Sequence, residues 1–101
     1  MKLLLITAIK EFESEVKNIL VKSGAKSFTY NSVNGYKNCS NTNLSANWFA
    51  SSFTETDSLL FTVFVPKENT HLILKKIEEF NAEQETLSKV HIALVTLEQQ
   101  F

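Results

Sequence analysis

The chain has 101 residues, the length of one domain, and 44% of them are hydrophobic, with eight phenylalanines to fill a core. Ten basic against eleven acidic residues leave a net charge of -1, and no basic run supplies the electrostatic footprint of a nucleic-acid binder. The single cysteine, Cys39, cannot form an internal disulfide, which fits a reducing, cytoplasmic setting, and no apolar run reaches the roughly 18 residues that a membrane span needs.

Residues 3–9 are apolar on both faces and predict a strand buried on both sides. The same run imitates a secretory signal. It is at the short limit for one, however, and acidic residues follow it with no small-residue cleavage site. Asn38 and Asn43 match the glycosylation sequon, and without a secretory signal they read as ordinary loop residues. Residues 11–22 place Phe12, Val16, Ile19 and Leu20 on one stripe, which is helical spacing. Glu11, Glu13 and Glu15 favour the positive end of that helix, and Gly24 sits where a C-terminal cap belongs. Residues 27–34 alternate Phe28 and Tyr30 with Thr29 and Asn31, as a strand does.

Residues 35–57 carry no helical or strand period. A connection that long in so small a domain is usually functional or disordered. It holds the only tryptophan, Trp48, and the only cysteine. Residues 59–65 predict a second two-faced apolar strand, stopped by Pro66. A helix capped by Asn69 or Thr70 follows, running to about Phe80, with Ile73, Ile77 and Phe80 inside and Lys75, Lys76, Glu78 and Glu79 in water. Residues 81–89 are a polar connection, 90–97 a last strand, and 98–101 a short tail.

Two β-α-β units in tandem predict a ferredoxin-like α+β sandwich: four antiparallel strands with two helices on one face. Strands one and three lie centrally in that sheet, and they are the two most apolar strands of this chain. A sheet face left open to water should read polar, yet both faces here are apolar. That predicts an oligomer whose sheet faces meet, or a loop or tail folded over the face.

The tandem order, the long connection between strands two and three, and Gly35 followed by Tyr36 and Lys37 at its base resemble the PII-like (GlnB-like) signalling proteins, with CutA-like proteins as the nearest competing family. The resemblance spans nearly all of residues 1–101 as a single domain, with 35–57 in the place of the family's T-loop. It implies a cytoplasmic homotrimer without catalytic activity. A small effector would bind in clefts between subunits near Gly35, Tyr36 and Lys37. A loop carrying Asn47, Trp48 and Phe49 would be presented to a regulated partner such as a membrane transporter. Classical members hold nucleotide phosphates on a glycine-rich loop before the last strand. Here 81–89 has no glycine and two glutamates, and only Lys89 could serve as the phosphate-binding cation. The sequence names no cofactor.

The isolated soft or borderline metal ligands are Cys39, His71 and His91, in no paired spacing. A CutA-like copper or zinc protein would need them assembled across the fold or across subunits. Trp48, Phe49 and Phe53 either anchor their loop to the core or form a binding surface. Glu55 and Asp57 around Thr56 read as a solvated turn, and the charges at 75–79 as the wet face of a helix. A small enzyme on the same scaffold would need a deep pocket with a polar group inside, and a fold alone does not argue for one.

Overall fold

The computed structural model describes residues 1–36, 55–85 and 88–99. In chain order these form β1 (Lys2–Ile9), a 3-10 turn (Lys10–Phe12), α1 (Glu13–Lys22), β2 (Phe28–Tyr36), β3 (Glu55–Val65), α2 (Lys67–Glu83) and β4 (His91–Thr96). The strands make one sheet in the order β2-β3-β1-β4, antiparallel at every pairing. This is the expected ferredoxin-like α+β sandwich, with the two most apolar strands in its middle.

The register fixes which side chains share a face. Leu4 lies opposite Val63 and Leu94, and Ile6 opposite Phe61 and Ile92. Leu4, Ile6, Phe61 and Val63 are buried with Val16 and Leu20 of α1 and with Ile73 and Ile77 of α2. Each such side chain contributes about 1.5–3 kcal/mol on burial, so this layer decides the fold. The helices run antiparallel and are tied at both ends. Phe12 meets Phe80 edge to face at 5.1 Å. At the other end Asn69 donates to the Ser23 carbonyl at 3.1 Å.

On the open face Leu3 lies opposite Phe64 and Val95, Leu5 opposite Thr62 and Ala93, and Thr7 opposite Leu60 and His91. Phe64 is 52% and Val95 39% exposed. Toward β2 the face turns polar: Thr29 lies opposite Thr62 and Asn31 opposite Leu60.

The structure moves several boundaries. Gly35 and Tyr36 belong to β2, and Glu55, Thr56 and Asp57 open β3, so these residues are not loop or turn. Gly35 pairs with Thr56 and Tyr36 with Glu55. Their polar side chains hide the strand period, because this end of the ladder lies beyond the core. The helix α2 starts at Lys67, directly after Pro66, whose fixed extended geometry (φ -60°) makes the entry. Asn69 is therefore inside the helix and bonds Ser23, and the Thr70 hydroxyl donates to the Lys67 carbonyl at 2.7 Å. The same helix continues past Phe80 to Glu83, and β4 is shorter than residues 90–97.

Candidate effector cleft at one end of the sheet

Antiparallel pairing gathers the C-terminal ends of β1 and β2 and the N-terminal ends of β3 and β4 at one end of the sheet. Gly35 and Tyr36 are the last rungs of β2 there; Gly35 is buried and Tyr36 is 68% exposed. Lys89 precedes β4 at the opposite edge of the sheet. Three strand spacings of about 4.8 Å separate those edges, roughly 14 Å in all. One copy of the chain therefore does not bring Gly35 and Tyr36 together with Lys89. Lys37, Cys39, Asn47, Trp48 and Phe49 lie outside the described residues, as does Phe53.

His71 is exposed on α2, and His91 points to the open face in the row of Thr7. The sheet stands between the two. Among the described residues no three His, Cys, Asp or Glu side chains gather to hold a metal.

Two hydroxyls near this end are buried without a hydrogen-bond partner among the described residues: Oγ1 of Thr7 and Oγ1 of Thr56. The register puts Thr7 on the open face, and Thr56 opposite Gly35. A buried hydroxyl left unpaired costs about 1–3 kcal/mol, so each stands to gain from a donor or acceptor beyond the described residues. A separate cavity of about 280 Å³ is lined by Lys10, Ser32, Val33, Asn34, Asp57 and Ser58. It lies between the 3-10 turn and the outer end of the β2–β3 ladder.

The strand that carries Gly35 is held in place by side chains of α1. Lys17 Nζ donates to Glu13 Oε2 and to the Tyr30 hydroxyl, both at 2.7 Å, and lies 4.2 Å from the Tyr30 ring centre. Tyr30 in turn stacks on Phe61, centroids 5.3 Å apart. The Glu13 bond first, and the Tyr30 bond second, hold the Lys17 ammonium above its ordinary value of 10.5.

At the other edge a different clamp operates. The Asn81 side chain brackets the backbone of Val90: Nδ2 donates to the carbonyl at 2.9 Å, and Oδ1 accepts from the N–H at 2.8 Å. Lys89 Nζ donates to the Asn81 carbonyl at 2.9 Å. Thr7, Lys10 and Asn81 escaped sequence reasoning. Asn81 serves a backbone nine positions away, and none of the three carries a local spacing that could have revealed it.

No family model matches the sequence, and no curated protein matches it in sequence. Solved structures do match in fold. CPII from Thiomonas intermedia K12, bound to ADP, AMP and acetate, superposes with a TM-score of 0.67 at 14% identity, over 93% of this chain and 82% of that one. A second CPII structure, described as a nitrogen regulatory PII-like protein and bound to ADP, AMP and bicarbonate, gives 0.63 at 15% identity, over 99% and 94%. The chain has the PII-like fold. A DUF3240 family protein from Shewanella baltica OS155 shares it, with a TM-score of 0.68 at 11% identity over 99% and 92%.

Proposed function

We propose that this chain is a non-catalytic regulatory sensor. It assembles as a homotrimer through its open sheet faces and binds a small effector in the clefts between copies. The observation that carries the reading is the division of the open face. Leu3, Leu5, Phe64, Ala93 and Val95 form an apolar zone over β1, β3 and β4. Toward β2 the face is polar, with Thr29 and Asn31, and the hydroxyls of Thr7 and Thr56, unpartnered among the described residues, lie nearer the Gly35 end. An apolar zone of that kind fits burial against another copy. The polar zone is then left at the rim, where a ligand can satisfy it. CPII proteins of the same fold hold ADP and AMP, which makes adenine compounds the first effectors to test.

In this reading Gly35 and Tyr36 form the floor of the cleft, and Lys37 supplies positive charge. The connection with Asn47, Trp48 and Phe49 engages a partner, for which a membrane transporter is the candidate. No helix among the described residues is long and apolar enough to cross a membrane, so contact with a membrane system would run through such a partner.

Native mass spectrometry of the purified protein tests the proposal, first alone and then with adenosine, AMP, ADP, copper or zinc. The expected spectrum is a trimer that gains the mass of an adenine compound. A trimer that takes up only metal replaces this reading with a CutA-like metal-binding one. A monomer in every condition overturns it.

A further inference from the structure

We infer that Lys89 is the C-terminal cap of α2 and not a phosphate ligand, so that a di- or triphosphate chain adds no affinity to an effector in the cleft. The selectivity rests on the effector reading above; the cap stands without it.

The last carbonyls of any helix lack intrahelical partners and gather negative partial charge. The last turn of α2 contains no basic residue, and no glycine follows it to turn the chain back. Lys89 supplies what is missing by donating to the Asn81 carbonyl, which also accepts from the Gln84 N–H at 3.3 Å. The Asn81 side chain fixes the geometry through Val90, which is only 3% exposed. The Val90 N–H, the backbone donor next to Lys89, is thereby spent on Asn81 Oδ1. An anion arriving at this edge meets a lysine already engaged, a backbone donor already engaged, and the exposed carboxylates of Glu83 and Glu85 nearby in the chain. It also meets no guanidinium. Every cation in the chain is a lysine, so the planar fork that grips phosphate in two bonds is absent from the sequence.

The test uses the full chain and two variants, Lys89→Met and Lys89→Arg. Thermal midpoints are measured without ligand, and binding of adenosine, AMP, ADP and ATP by calorimetry. Loss of the cap in Lys89→Met should lower the midpoint by about 4–8 °C, as expected for roughly 1 kcal/mol in a domain of this size, and Lys89→Arg should restore most of it. For both wild type and Lys89→Met, ADP and ATP should bind within about twofold of AMP. An unchanged midpoint in Lys89→Met overturns the cap. A wild type that prefers ADP to AMP by about tenfold or more, with the preference lost in Lys89→Met, overturns the selectivity. If no adenine compound binds but the midpoint falls, the cap stands and the effector reading of the preceding section fails by itself.

Discussion

Gly24 shows how one residue can close an element. It takes a left-handed φ of +91° just after Ser23 ends α1. Its N–H donates to the Val21 carbonyl at 3.3 Å, and the Ala25 N–H reaches back to Leu20 at 3.0 Å. These are the two bonds of a Schellman ending. A methyl group here would also run into the Asn69 side chain, which is committed to the Ser23 carbonyl. Gly24→Ala should therefore cost about 1–2 kcal/mol, read as a lower urea midpoint with an unchanged slope. This cap was legible in the sequence, because glycine after an apolar stripe with a lysine in the last turn is a local signal. Asn81 was not legible. Its side chain serves a backbone nine positions away, and an asparagine in a polar stretch looks like loop.

At the scale of elements, β1 and the core of β3 could be read directly, since their side chains are apolar on both faces. The last two residues of β2 and the first four of β3 could not. Rungs such as Gly35 opposite Thr56 and Tyr36 opposite Glu55 lie past the apolar run, so hydrogen bonding sustains the strand where hydrophobic alternation has stopped. The attachment of β2 to α1 through Lys17 was likewise hidden, as it joins a helix and a strand by one long side chain. It carries a pH signature. The Lys17 ammonium is favoured by its folded surroundings, so its contribution is complete below 10.5 and is lost as pH rises through the higher folded value. Wild type should exceed Lys17→Met in denaturant midpoint at neutral pH, and the gap should shrink above pH 10.5. A gap that persists there would assign the effect to packing of the lysine stem over Tyr30.

For the whole molecule the question is what meets the open face. Phe64, 52% exposed, lies beside Leu3 in the apolar part of that face. Phe64→Glu should turn the oligomer into monomers by light scattering after gel filtration, because a buried unpaired carboxylate disfavours the interface by several kcal/mol. Val21, on the outer surface of α1 and 63% exposed, provides the control: Val21→Glu should leave the mass unchanged. The apolar character of both sheet faces was visible in the sequence and gave the oligomer expectation. The division of the open face into an apolar and a polar zone needed the register, which decides row by row which side chains stand together.

The β2–β3 ladder runs from Phe28 opposite Val63 to Tyr36 opposite Glu55, and its two ends do different jobs. Slipping the register by one residue would turn Phe28 and Tyr30 away from Phe61 and out to water, along with every other side chain of the strand. The aromatic end thus acts as a keyed lock whose setting is carried, rung by rung, to Gly35. Sequence at the polar end is then free to drift without losing alignment. A chain built this way can change the side chains at its Gly35 end while the alignment of that end stays put.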